Sequence, residues 1–288
     1  MLRSQSVRVI LTLNMVFAMA NSGSATLLHY YPMNETVNPS TGTTVADLGT
    51  TPVTATALGT VGPVVGVASA NAGLFGTAFN FNSSDQGGVD LLTRFPGTSN
   101  VGGASDAYTV AAWIKPAAIQ QAAAAILGSF STNRGIDLRL VNGTGAQDPS
   151  LLYLQLYHRN NASGNVSSWG FDNPLSASAI DQWTHLAVTM NSSRLVQVYV
   201  NGALWDAGGT IGRKPGSTST NDIAIGESLV SNSTSYYQGG IDEFRIYDEL
   251  IDAATIAALA GVPEPSSMAL LCLGLLGLVS RRLRKPWR

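Results

Sequence analysis

Few side chains in this sequence have the types and spacing for chemistry. The histidines are His29, His158 and His185, and the single cysteine is Cys272. The nearest approach to a carboxylate cluster is Asp242-Glu243, followed by Phe244, Arg245 and Ile246. Glycoside hydrolysis needs two carboxylates facing one bond, one as acid and one as base or nucleophile. Here the positions that should complete such a cluster are apolar or cationic. Strand alternation sets Asp242 on the face of Phe244 and Ile246, where an aspartate at a strand start satisfies nearby backbone amides; calcium ligation is the alternative. His185, two residues after Trp183 in WTHLAV, fits a hydrogen-bonded packing residue better than a base. A nucleophile elbow, a Walker-type loop and paired zinc-ligand motifs are all absent. No residue is assigned a catalytic role, and the expectation is that the chain is not an enzyme.

Sugar binding makes a different demand: aromatic rings for stacking, supported by a few polar groups. Trp169 and Phe171 in NASGNVSSWGFDN, and Tyr236 and Tyr237 in NSTSYYQGG, lie among loop-forming residues and are the candidates for such stacking. Their alternative role is to cap the ends of the core.

The elements that must position these residues are short strands. AYTVAAWIKP from Ala107 alternates Tyr108, Val110, Ala112 and Ile114 with Thr109, Ala111, Trp113 and Lys115, and stops at Pro116. GIDLRLVNG sets Ile136, Leu138 and Leu140 against Asp137, Arg139 and Val141. LLYLQLYHRN sets Leu152, Leu154 and Leu156 against Tyr153, Gln155 and Tyr157. Gln182 to Trp205 reads as an antiparallel meander whose second turn, Asn201-Gly202, favours the positive φ angles of a two-residue hairpin. IAIGES (223–228) and GGIDEFRIYD (239–248) add two further strands. One helix is expected after Asp252, which can cap its first amides, and Gly261 suits its end. Residues 36–72 read as short strands and long loops of the same domain.

YTVAAWIKP (108–116), QWTHLAVTM with VQVYVNGAL (182–204) and GGIDEFRIYDELIDAATIAALAG (239–261) occur in that order. With LLHYYPMNE and TTVADLG near the start, they resemble the LamG-like jelly-roll domains of the concanavalin A-like lectin and glucanase superfamily. The resemblance implies an all-β fold: a jelly-roll sandwich of two antiparallel sheets with one short C-terminal helix. It further implies glycan binding, adhesion or scaffolding, and in some relatives a bound calcium. Asp242 is the candidate metal residue, and Ca²⁺ the one cofactor in prospect.

The ends differ from the body. Residues 1–20, with Arg3 and Arg8 before an apolar run ending Ala18-Met19-Ala20, read as a signal peptide, with a cut after Ala25 as the alternative. The domain itself is expected over residues 26–261. Between Asn21 and Gly261, nine Lys and Arg face seventeen Asp and Glu, a body charge of −8. That charge argues against nucleic acid as a partner and leaves neutral glycans and divalent cations. Cys272 lies in the tail, so the body contains neither disulfide nor thiol chemistry.

After Gly261 come Pro263-Glu264-Pro265, the apolar run Met268–Val279 and a cluster of arginines. Twelve apolar residues make about 18 Å of helix, against roughly 30 Å of hydrocarbon. A transmembrane segment about 267–280 would be short, and its basic end would stay cytoplasmic. Residues 262–288 resemble the PEP-CTERM sorting signal of Gram-negative bacteria, with Pro263, Glu264 and Pro265 as the sorting motif. That resemblance implies processing by an exosortase after transient insertion in the inner membrane, and delivery to the cell envelope, outer surface or extracellular matrix. The expected partner there is a polysaccharide or another envelope component. The plain alternative is a retained single-pass anchor.

Overall fold

The computed structural model describes residues 25–35, 43–58, 61–65, 77–81, 88–91, 107–118, 120, 123–129, 134–143, 147–160, 166–212, 223–230 and 233–261. The strands, in chain order, are β1 (Leu27–Tyr31), β2 (Thr43–Val45), β3 (Ala55–Leu58), β4 (Val61–Val65), β5 (Thr77–Phe81), β6 (Gly88–Asp90), β7 (Tyr108–Pro116), β8 (Ala124–Ser129) and β9 (Arg134–Asn142). They continue as β10 (Leu152–Asn160), β11 (Val166–Pro174), β12 (Thr184–Met190), β13 (Val196–Val200), β14 (Ala203–Asp206), β15 (Ile223–Ile225), β16 (Glu227–Val230), β17 (Ser233–Tyr236) and β18 (Gly239–Tyr247). One α-helix, α1 (Ala253–Leu259), and a 3₁₀ turn, Ala177–Ala179, complete the described elements. The expected signal peptide, the Pro263-Glu264-Pro265 motif and the apolar tail lie outside the described residues. Among those described, no helix is long and apolar enough to cross a membrane.

Strands with one apolar face must bury it, and this chain does so by stacking two antiparallel sheets. The first runs β14-β13-β12-β7-β18-β5-β4, with β1 also paired to β18; the second runs β11-β10-β9-β8-β15-β6-β3-β2. The jelly-roll expectation is met. Between the sheets, Val110, Ile114, Leu186, Val188 and Val198 of the first meet Leu127, Leu138, Leu140, Leu154 and Leu156 of the second. Side chains of this kind contribute about 1.5–3 kcal/mol each when fully buried.

Local signals set several joints. Asn201 and Gly202 adopt φ of 49° and 79°, and Val200 pairs with Ala203 across the two-residue turn. The Asp252 side chain accepts from the Thr255 amide at 2.7 Å to start α1, and Gly261 follows its end at φ 53°. Ile256 then packs on Ala111, Ala187, Tyr199 and Tyr247, so the helix closes the outer face of the first sheet. Ala25, Leu27 and Leu259 join the same cluster, which brings both ends of the sandwich to one side.

Two expectations fail for identifiable reasons. IAIGES does not form one strand: Gly226, at φ 78°, turns the chain from β15 in the second sheet into β16, which pairs with β17 instead. The alternation in β18 also breaks. Opposite β7 the register shifts between Asp242 and Arg245, and Glu243 takes φ 54°. One extra residue therefore keeps Phe244 and Ile246 in the core with Ile241 and turns Asp242 to the other face, opposite Trp113. Asp242 is fully buried, and its Oδ1 accepts the Glu243 amide at 2.8 Å, the backbone role expected of it on the face that was not expected.

Each histidine is buried, with different outcomes. His29 Nδ1 lies 2.8 Å from Asp47 Oδ2, and Asp47 also accepts the amides of Tyr30, Gly49 and Val53. Burial opposes the Asp47 charge, but these bonds outweigh it and hold its carboxyl below the usual range. His158 Nε2 lies 2.8 Å from the Tyr108 hydroxyl inside the sandwich. His185 packs edge-on against Trp113, with ring centroids 5.4 Å apart, but among the described residues neither ring nitrogen has a hydrogen-bond partner. The packing expected of it holds; the side-chain hydrogen bond does not.

Burial first, then the Arg245 charge, pushes His185 down to about 3 from 6.5. Because the unfolded chain takes up this proton and the folded one does not, the His185 contribution to stability falls as pH drops from about 6.5 towards 3. The slope approaches about 1.4 kcal/mol per pH unit at most. The buried Glu227 carboxyl, pushed up to about 7, drifts in the opposite sense, so the comparison with a variant isolates the histidine. His185→Phe should gain on the wild type steadily between pH 7 and pH 4 in urea unfolding; a pH-independent difference would contradict this.

Candidate ligand-binding face

The two sheets differ in what covers their outer faces. That of the first is closed by α1 and apolar residues. On the second, the ribbon of β16 and β17 covers the region around β8, while among the described residues nothing covers β9, β10 and β11 at one end.

Alternation dictates what stands there. In β9, Ile136, Leu138 and Leu140 face the core, and in β10, Leu152, Leu154 and Leu156 do the same. Asp137 and Arg139 of β9, and Gln155 and Tyr157 of β10, must then point outward. The antiparallel register pairs Asp137 with Tyr157 and Arg139 with Gln155; on the far side Tyr157 pairs with Ser168, and Gln155 with Gly170 of β11. The pairing makes these residues neighbours.

Arg139 lays its guanidinium 4.0 Å from the centre of the Tyr157 ring. Its Nε donates to Gln155 Oε1 at 3.3 Å, and the Tyr157 hydroxyl donates to the same oxygen at 3.2 Å. Arg139, Gln155 and Tyr157 are each half-buried, which preserves access to solvent. Among the described residues, the guanidinium Nη groups and Gln155 Nε2 make no hydrogen bond, so planar donors remain available. Ser168 and Gly170 are exposed, and no atom lies within 4 Å of the position a Cβ would take at Gly170. At the other end Asp137 is fully buried and accepts from the Ser228 hydroxyl at 2.5 Å, anchoring the covering ribbon. The result is a flat ledge of one aromatic ring, one guanidinium and one amide beside open space, suited to the hydroxyls and ring edges of a sugar.

The sequence candidates for stacking stand elsewhere. Trp169 and Phe171 are on β11 rather than in a loop, because residues 166–174 pair along β10. Phe171 is 1% exposed, and Trp169 is half-buried against the core beside Gly209. Tyr236 ends β17 at 8% exposure, and Tyr237 is wholly buried. Phe171 and Tyr237 are buried members of the core and offer no ring face to a ligand. Asp242 sits on the opposite sheet. Arg139, Gln155 and Tyr157 were missed as a site, although the alternation of LRL and LYLQLY had already set them on one side.

A second concavity, about 720 Å³, is lined by Glu35, Thr44–Asp47 and Pro52–Thr54. Asp47 there is engaged in holding its own turn, whereas Glu35 accepts the Ala46 amide on Oε1 at 2.8 Å and, among the described residues, leaves a buried Oε2 without a hydrogen-bond partner.

Comparison with known proteins supports this architecture. Residues 261–285 match the PEP-CTERM protein-sorting motif. No curated protein matches the chain in sequence. Among solved structures, domain 4 of AbnA, a GH43 extracellular arabinanase from Geobacillus stearothermophilus solved in complex with arabinotriose, is 22% identical at a TM-score of 0.54, covering 82% of this chain and 98% of that one. The binding domain of botulinum neurotoxin DC in complex with SialylT is 15% identical at 0.56, covering 84% and 52%. The binding domain of Paraclostridial Mosquitocidal Protein 1 is 15% identical at 0.54, covering 82% and 51%. The chain spans about half the length of these toxin domains. At such identities the likeness is one of fold. The family model for the concanavalin A-like lectin/glucanases superfamily matches residues 87–257, more than half of the chain and most of both sheets, and the chain belongs to that superfamily.

Proposed function

We propose that this chain is an exported protein of the bacterial envelope whose sandwich holds glycan without cleaving it, on the ledge of Arg139, Gln155 and Tyr157. The observation that carries this reading is the set of unused planar donors beside the open space at Gly170. Two of the structural neighbours were solved with arabinotriose and with SialylT, which supports a binding rather than a catalytic use of the fold. Residues 262–288 would serve as the sorting signal, with exosortase acting near Pro263-Glu264-Pro265. Because Ala25 and Leu259 share one cluster on the outer face of the first sheet, both membrane-directed ends would leave from the side opposite the ledge. The ledge would then face away from the membrane.

Gly170→Leu tests the ledge cleanly, since no atom lies within 4 Å of the position its Cβ would take and φ at 170 is not in the left-handed region. It should leave the melting temperature unchanged and abolish retention on a glycan array that retains the wild type. Gln155→Ala should weaken the same glycan about tenfold, equivalent to about 1.4 kcal/mol. Unaltered binding in both variants, or retention of no glycan by the wild type, would remove the reading.

The tail has its own test. Mass spectrometry of the envelope-associated protein should find a C-terminus close to Pro265. An intact Arg288 would indicate a retained anchor instead.

A further inference from the structure

The polar groups of the ledge are unequally used. Gln155 Oε1 accepts both the Arg139 Nε, at 3.3 Å, and the Tyr157 hydroxyl, at 3.2 Å. Two donors on one atom mark that atom as the amide oxygen and turn Nε2 away from them. With both lone pairs taken, this acceptor is filled. What remains on Arg139 and Gln155, among the described residues, is donor: the Nη groups and Nε2. Sugar hydroxyls need acceptors as well as donors, whereas an oxyanion needs donors alone.

Charge points the same way. Acids outnumber bases seventeen to nine between Asn21 and Gly261, yet among the described residues Arg139 has no carboxylate partner. Three of those nine bases, Arg134, Arg139 and Arg159, belong to β9 and β10. The same two strands contain one acid, Asp137, which is fully buried and takes the Ser228 hydroxyl on Oδ1. Asp172 of β11 comes after Gly170, where the pairing with β10 slips. The Arg139 guanidinium is also held in place: the Tyr157 ring centre lies 4.0 Å away, and the Nε bond to Gln155 fixes its rotation over that ring. Its far edge is then a preset fork of two Nη groups. Such a fork matches two oxygens of a carboxylate or sulfate in a pair of parallel hydrogen bonds.

We propose that the glycan held on this ledge is acidic, with the carboxylate or sulfate ester of one sugar seated on the Arg139 fork and its ring lying in the open space at Gly170. The inference rests on the ledge being the glycan site. It reverses the expectation of a neutral glycan drawn from the body charge of −8. At roughly 0.15 M salt, charges more than about 8 Å away are largely screened, whereas the fork acts in direct contact. The local donors therefore outweigh the distant acids.

The test measures binding of the purified protein to immobilised polysaccharides in matched pairs, at roughly 0.15 M NaCl. Polygalacturonate and alginate each stand beside their carboxyl-reduced forms, and dextran sulfate stands beside dextran. The acidic member of at least one pair should bind about tenfold to a hundredfold more tightly than its neutral partner, the range expected of one charge-assisted fork. Arg139→Gln should bring the acidic member down to the neutral level. Arg139→Lys should recover part of the difference, because the charge stays while the fork is lost. A preference confined to dextran sulfate identifies the sulfate ester as the seated group, and one confined to the uronates identifies the carboxylate. Equal binding within every pair, tighter binding of the neutral members, or a preference unchanged in Arg139→Gln would each overturn the proposal, and the first two are read on the wild type alone. The ledge survives such a result wherever Gly170→Leu still removes a bound neutral glycan. Retention of no glycan at all removes the ledge and this inference together.

Discussion

Much of this sandwich depends on one extra residue in its central strand. β18 pairs with β7 along one edge, while its other edge is shared, first by β5 and then by β1. Without the bulge at Asp242 and Glu243, strict alternation would send Glu243 and Arg245 into the core and Phe244 and Ile246 out of it. Glu243 adopts a left-handed backbone, which costs on the order of 1–3 kcal/mol and persists only where the surroundings demand it. Here they do. Tyr30 donates its hydroxyl to both Glu243 oxygens at 2.9 and 2.8 Å, Arg245 pairs with the same carboxylate, and the Arg245 guanidinium lies 4.2 Å over the Tyr30 ring. This cluster ties β1 to β18 and sits where β5 gives way to β1, so the first and last strands of the described chain are locked together by a charge network under a half-closed surface.

That lock also decides how the two faces of the molecule are used. With β1 and α1 brought together, the outer face of the first sheet becomes a second, smaller apolar cluster. Among the described residues, the second sheet has no such lid over β9 to β11. Its ribbon, held by Ser228 on Asp137, covers one part and leaves Arg139, Gln155 and Tyr157 beside open space. The asymmetry is physical rather than decorative: a face with apolar outward residues must be covered, whereas a face of guanidinium, amide and phenol can remain wet.

Several features of the fold were legible without coordinates. Period-two alternation identified β7, β9, β10, β12, β13 and β18, since each has a buried face. The turn at Asn201-Gly202 and the caps at Asp252 and Gly261 follow from local backbone chemistry. The strand character of Val166–Pro174 was hidden because VSSWGFDNP is poor in strand formers; its pairing with β10 overrides propensity. Tyr237 looked like a loop aromatic because its neighbours are serine, glutamine and glycine, yet its ring fills the interior beside Phe81. The ledge was half visible: its members were set on the outward side of their strands, but nothing local says that β11 would carry an open glycine at its centre while a ribbon covers only part of the sheet.

The sequence by itself determined which residues alternate, where the chain turns tightly, where its one helix starts and stops, and that its tail ends in a sorting motif. These are properties of neighbours a few positions apart, governed by φ preferences, capping and hydrophobic period. Only the tertiary structure decided which face of each strand is covered, where alternation slips by a residue, and which polar groups end up together. Those outcomes rest on contacts such as Tyr30 with Glu243, 213 positions apart, and Ser228 with Asp137, 91 apart. A residue's local pattern shows that it has two sides; what stands on each side is settled by chain arriving from far away in the sequence.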